Sequence, residues 1–167
     1  HNIFIANEFF DALPFKQFFK INNKWMERFV VVDKNNNKNF TKIVSNIDKI
    51  EKKLRFKISK NQKVIEFSPL ALNYLKNISK KIYHKKGCLL IIDYGYLDDQ
   101  MKDTMMSIRK HKYTNILKTF GDSDITYKLN FKILSKIIKN LKLKCQAITS
   151  QRNFLISLGI QQRAEIL

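Results

Sequence analysis

Asn7, Glu8 and Asp11, in the run Ala6-Asn7-Glu8-Phe9-Phe10-Asp11-Ala12-Leu13-Pro14, are the residues of this chain whose types and spacing best suit chemistry. Carboxylates set among aromatic rings suit a cationic substrate. The acids hold its charge, while Phe9, Phe10 and Pro14 supply walls and cation–π contacts. A second group, Asp93-Tyr94-Gly95, closes another apolar run. Glycine at a strand end lets a ligand or a neighbouring backbone come close. Each group also reads as a capped turn, which needs no ligand. Other chemistries lack their signatures. The four glycines form neither GxGxxG nor a P-loop. His1, His84 and His111 are scattered, and no metal site is expected. No serine or cysteine nucleophile signature occurs; Ser68, before Pro69, reads as a helix cap. Trp25 with Phe29 reads as packing.

The elements that must position these residues alternate short apolar runs with amphipathic segments. Ile3 to Ala6 reads as a buried strand that releases Asn7-Glu8 at its carboxyl end. Arg28 to Asp33 reads as a second strand, Lys34 to Asn39 as a turn, and Phe40 to Val44 as its hairpin partner. Leu54 to Ile58 and Val64 to Phe67 are weaker strand candidates. From Ser68-Pro69 onward, Ala71, Tyr74, Leu75, Ile78 and Ile82 repeat at helical spacing, with Gly87 as the expected C-terminal cap. Cys88 to Ile92 follows as an apolar strand ending in Asp93, the half of a βαβ unit. Asn130 is placed to cap a helix bearing Phe131, Leu134, Ile137, Ile138 and Leu141. A strand from Leu143 to Thr149 and a short helix stopping at Gly159 complete the reading. The class is α/β with a mostly parallel sheet. In such sheets, ligands bind outside the carboxyl ends of the strands.

Composition bounds the partners. A chain of 167 residues with 44% hydrophobic and 12% aromatic residues builds one packed domain. Cys88 and Cys145 are far apart, which excludes a disulfide scaffold and a zinc ribbon. No apolar run approaches the ~20 residues of a membrane helix. The net charge of +18 points first to nucleic acid. Lysine, however, supplies 27 of the 32 basic residues, and Lys, Asn and Ile together make up 65 of 167 residues. All three have AT-rich codons, and the lysines are spread along the whole chain. The charge therefore reads as a solvated surface rather than a nucleic-acid footprint. His1 opens in what reads as mid-strand, so a single partial domain over residues 1–167 is expected, with a β-rich insertion across 15–67. A half-sheet of this kind exposes an apolar edge and face, which favours self-association, a homodimer included.

The motifs, taken in order, resemble the MidA family of S-adenosylmethionine-dependent methyltransferases, whose mitochondrial members assist assembly of respiratory complex I. The resemblance rests on Ala6 to Pro14, Trp25-Met26-Glu27-Arg28, Glu66-Phe67-Ser68-Pro69 and Ile92-Asp93-Tyr94-Gly95-Tyr96. It continues through Asp103-Thr104 with His111 (similar to the family's next helix), Gly121 to Thr126, and Gln151 with Phe154-Leu155 and Leu158-Gly159-Ile160. Asn130 stands where the family carries Asp, Lys128 where it carries His, Ser150 where it carries Thr and Arg152 where it often has Gly. The resemblance implies the second half of a class I, Rossmann-like methyltransferase domain, with S-adenosylmethionine as cofactor. The family's Gly-rich cofactor loop and ribose-binding acid lie upstream of the matched residues, which leaves Ala6 and Asn7 as cofactor contacts in this chain. An arginine of a complex I subunit is the implied substrate. Asn7, Glu8 and Asp11 are the expected catalytic residues. Phe9, Phe10, Pro14, Asp93, Tyr94, Gly95, Asp124 and Thr126 are expected to line the cleft. The expected location is the cytoplasm of a bacterium or the mitochondrial matrix. Two rival readings are a non-catalytic assembly module with the same fold and a basic nucleic-acid-binding protein.

Overall fold

The structure is a computed structural model and describes residues 1–167. Strands β1 (Asn2–Asn7) and β6 (Gly87–Ile92) run parallel, with Asn2 opposite Gly87 and Asn7 opposite Ile92. Their carboxyl ends therefore lie side by side, which sets Asn7-Glu8 beside Asp93-Tyr94. Both strands read as buried runs, but Ile3 and Ile5 are 74% and 68% exposed. Helix α2 (Pro69–Lys85) packs against one face of the pair, and Ala6 is buried while the alternate residues face outward. The α2 start is as expected: the Ser68 hydroxyl accepts from the Ala71 N–H (3.0 Å), and Pro69 opens the helix. Its end differs. Lys86 (φ 54°) terminates the helix, and Gly87 begins β6 instead of capping α2. A Cβ on Gly87 would lie 1.9 Å from the Asn2 carbonyl oxygen, so glycine there serves strand approach.

Between β1 and α2 the chain builds a four-stranded antiparallel sheet of order β4-β3-β2-β5. Its members are β2 (Lys16–Ile21), β3 (Lys24–Val32), β4 (Lys38–Val44) and β5 (Val64–Phe67). Strand β2 has a basic, mixed pattern (KQFFKI) and was not legible as a strand. One face buries Phe18, Trp25, Ile65 and Phe67, in one core cluster with Ile50 and Leu54 of α1 (Ile47–Leu54). The Leu54–Ile58 strand expected from sequence is absent. Asn46 caps α1, accepting from the N–H groups of Asp48 and Lys49, and the i, i+4 pair Ile50 and Leu54 faces the core. The other face carries a cross-strand row of Glu66, Gln17, Arg28 and Lys42. Arg28 lies over the rings of Phe19 (4.3 Å) and Phe40 (5.1 Å). Beyond this row the β3–β4 hairpin leaves β2 behind, and Val30, Val31 and Val32 are exposed.

The rest of the chain folds around the end of β6. Strand β7 (Gly95–Tyr96) pairs in parallel with β11 (Leu129–Asn130). Strands β8 (Met106–Arg109), β9 (Lys112–Tyr113) and β10 (Asp124–Thr126) form an antiparallel sheet. Asp103-Thr104 lies in a loop and His111 in the β8–β9 turn (φ 61°), where the resemblance implied a helix. Helix α3 (Phe131–Asn140) starts as expected at Asn130, whose side chain accepts from the Ile133 N–H (3.1 Å). Residues 143–149, expected as a strand, carry no regular structure, for they find no partner strand to pair their N–H and C=O groups. Helices α4 (Gln151–Ser157) and α5 (Ile160–Ile166) meet at Gly159, φ 81°. The α/β class holds, with the parallel pairing confined to β1–β6 and β7–β11 and every other pair antiparallel. No helix is long and apolar enough to cross a membrane.

Candidate functional site at the carboxyl ends of β1 and β6

Two turns meet where β1 and β6 end. The Glu8 N–H donates to the Ile92 carbonyl (2.8 Å), extending the parallel ladder by one residue, and Glu8 then turns the chain with φ 45°. A left-handed conformation in a non-glycine residue costs energy and is found preferentially where the surroundings enforce it, as at functional sites. What enforces it here is Asp93. Its Oδ2 accepts from the backbone N–H groups of Phe10 (3.0 Å) and Asp11 (3.3 Å), and its Oδ1 accepts from the Tyr94 N–H (2.8 Å). One carboxylate thus fixes both strand ends. Burial, and then the Asp11 carboxylate beside it, push the Asp93 carboxyl up to about 6.

Asp11 is 7% exposed. Its Oδ2 accepts from the Thr126 hydroxyl (2.8 Å), which also lies 3.2 Å from the Asp11 carbonyl. Its Oδ1 is buried and has no hydrogen-bond partner. Buried polar atoms are nearly always partnered, so this oxygen stands out. Phe10 beside it is fully buried, and Phe9 packs edge-on to both Phe10 and Tyr74 at 5.2 Å between ring centres. The Tyr94 ring is exposed. The Glu8 carboxylate next to its hydroxyl pushes the phenol above its ordinary value. No lysine or arginine pairs with Glu8, Asp11 or Asp93, although the chain carries 32 basic residues.

The structure therefore brings together Asn7, Glu8, Phe9, Phe10, Asp11, Asp93, Tyr94 and Thr126, with Asn7 exposed at the last position of β1. Three other expected residues take no part in these contacts. Pro14 is exposed beyond the turn and Asp124 is exposed on β10, opposite Ile108. Gly95 meets backbone rather than open space: a Cβ there would sit 2.4 Å from both the Leu129 carbonyl and the Phe131 ring. Sequence reasoning missed Tyr127, whose buried ring lies 4.4 Å from Phe15. Burial, and after it the charges of Glu66, Asp93 and Asp11, hold its phenol neutral well above the ordinary range. Glu66, buried in β5, was read only as part of a motif. Its signal was a lone acid between apolar neighbours in a four-residue strand.

Residues 1–149 match the profile of a family described as "Putative S-adenosyl-L-methionine-dependent methyltransferase". The zebrafish (Danio rerio) protein arginine methyltransferase NDUFAF7, mitochondrial, is 29% identical over 166 residues, covering 99% of this chain and 39% of the relative. The Caenorhabditis elegans homolog of that protein is 29% identical over 165 residues, covering 96% and 38%. The human protein is 26% identical over 180 residues, covering 100% and 37%. The chain thus spans about two fifths of the length of these relatives. The fold is also that of a Burkholderia thailandensis protein crystallised with S-adenosyl-homocysteine, at TM-score 0.78 and 20% identity over 100% of this chain and 44% of that one. The extent of the profile match and the shared fold lead to one assignment: the chain belongs to this family of S-adenosyl-L-methionine-dependent methyltransferases.

Proposed function

We propose that the protein transfers a methyl group from S-adenosylmethionine to the guanidinium of a protein arginine. The observation that carries this reading is the unpaired acidic turn. In a chain of net charge +18, Glu8, Asp11 and Asp93 gather at two parallel strand ends without a basic partner, and Asp11 Oδ1 is buried with no donor. A guanidinium offers donors in a planar fork that suits such acceptors. The names of the relatives, protein arginine methyltransferases, support the same substrate.

S-adenosylmethionine, when bound, supplies an electrophilic methyl. The residues present fit one edge of it: Ala6 is small and buried, Asn7 offers an exposed carboxamide, and the carboxylates and the Phe9 and Tyr94 rings suit a sulfonium charge. The four glycines form no Gly-rich loop that could cradle its ribose, and Ala6 and Asn7 would hold only the part of the cofactor nearest the β1 end. Glu8 and Asp11 orient the guanidinium and accept the proton that it loses as the new C–N bond forms. That role is needed because a guanidinium stays protonated below a pKa of about 12 and is a poor nucleophile. Asp93 holds Glu8 and Asp11 in place through the turn, and Thr126 holds the Asp11 carboxylate. Fixing two reactants in line supplies much of the rate.

The protein partner in this reading is an arginine-bearing subunit of respiratory complex I, and the mitochondrial names of the relatives favour the matrix as the location. Calorimetry with S-adenosylmethionine, on this chain and on its natural gene product, together with methyl transfer to an arginine peptide, tests the function. Transfer that falls at least about a hundredfold in Glu8→Gln, the scale of a general base, supports the assignment. Normal turnover in Asn7→Ala and Glu8→Gln overturns those roles. Cofactor binding by neither preparation overturns the enzyme in favour of an assembly module.

A further inference from the structure

The sheet β2–β5 carries a polar row that serves neither the core nor the acidic turn directly. Gln17 Nε2 donates to Glu66 Oε1 (2.6 Å) and Asp103 Oδ1 (2.7 Å). Arg28 donates through one nitrogen to Gln17 Oε1 (2.8 Å) and through another to Asp103 Oδ2 (3.1 Å). Gln17 and Glu66 are both buried. The Thr104 hydroxyl donates to Glu66 Oε2 and accepts from the Lys128 N–H (2.9 Å). Lys128 ends a three-residue segment fixed at each position. Thr126 donates to Asp11, Tyr127 packs on Phe15, and Lys128 donates to Thr104. Asp11 and Phe15 belong to the same loop that follows β1.

We infer that Glu66 and Thr104 are positioning residues for Asp11, acting through residues 126–128, which they clamp against the loop that carries the acidic turn. This rests on the functional reading above as far as turnover is concerned; the clamp itself is a property of the fold. Glu66 suits the task because both of its oxygens accept and join two other elements: Oε1 from Gln17 of β2 and from the Thr104 N–H (3.4 Å), Oε2 from the Thr104 hydroxyl in the loop before β8. A buried carboxylate satisfied in this way is costly to disturb, so the Thr104 hydroxyl has one favoured position.

Thr104→Val keeps the shape and removes the hydroxyl. In the isotope-labelled chain, the Lys128 amide should exchange with solvent about tenfold faster or more, and the Asp11 carboxyl carbon should shift in its NMR spectrum. Amides of α4 should not change, and Thr104→Ser should restore both signals. In the natural gene product, Thr104→Val should lower kcat for methyl transfer about fivefold at unchanged KM for the cofactor, the scale of a long-range coupling. Where the valine variant does not fold, Glu66→Gln, which leaves one acceptor of two, takes the same readings. An Asp11 signal that stays put while Lys128 loses protection overturns the clamp, as does failure of serine to rescue. A wild-type gene product that transfers no methyl group overturns the functional reading alone, since the Asp11 signal still decides the clamp.

Discussion

The turn from Asn7 to Asp11 and the stretch from Leu141 to Leu167 are both rich in recognisable local signals, yet the fold treats them differently. The turn is held by contacts from Asp93 and Thr126, 83 and 115 residues along the chain. The C-terminal stretch has textually good caps: Ser150 accepts from the Asn153 N–H (3.2 Å), and Gly159 takes the left-handed bend between two helices. No residue of α4 or α5 is buried. Capping shapes a helix by about 1 kcal/mol. Fixing a side chain to within hydrogen-bond tolerance requires neighbours distant in sequence, and of these two regions the turn alone has them.

The widest gap between the two regions should appear on truncating a large apolar side chain in each. Phe10→Ala should cost about 3–5 kcal/mol in urea unfolding, since the ring is fully buried beside Asp11. A loss below about 1 kcal/mol would show the turn to be as loosely held as the C-terminal helices. Thr126→Val comes next. It leaves Asp11 with a second unpartnered oxygen and should cost about 1–3 kcal/mol by the same measurement. Asp93→Asn sharpens the comparison through pH. The native carboxyl titrates near 6, above its ordinary 3.8, so between these values the folded chain binds more protons than the unfolded one. Stability from this group is therefore greatest below about pH 4 and is lost as pH rises toward about 6. The asparagine variant should lack that part of the slope when thermal unfolding is followed across this range. The smallest effect belongs to the end of α4, where Leu158→Ala, at the well-exposed residue that follows the helix, should change stability by less than about 0.5 kcal/mol.

The same division explains what could be read from the sequence. The β1 and β6 runs, the Ser68-Pro69 and Asn130 helix starts, and the β3–β4 hairpin are written in adjacent residues and were legible. So were the members of the acidic turn. Strand β2 was not, because its half-buried lysines and buried Gln17 make sense only beside Glu66 and Arg28. The 143–149 run failed in the opposite sense: it has strand composition but no neighbour to pair with. Gly87 and Gly95 were seen as special, yet the close approaches they permit, to Asn2 and to Leu129, come from pairings that no local pattern announces. The clamp through Thr104 lay outside sequence reasoning for the same reason.

The pairing of β1 with β6 also sets a timetable. Phe10 precedes its anchor Asp93 by 83 residues. At about 5–20 residues per second on the ribosome, the acidic turn waits roughly 4–17 seconds for the carboxylate that shapes it. The antiparallel sheet and α2 are synthesised in that interval and close through shorter loops, which favours their earlier assembly. The segment that carries the proposed chemistry is thus made well before the carboxylate that sets it, and until then Ile3 and Ile5 travel without the β6 partner of their strand.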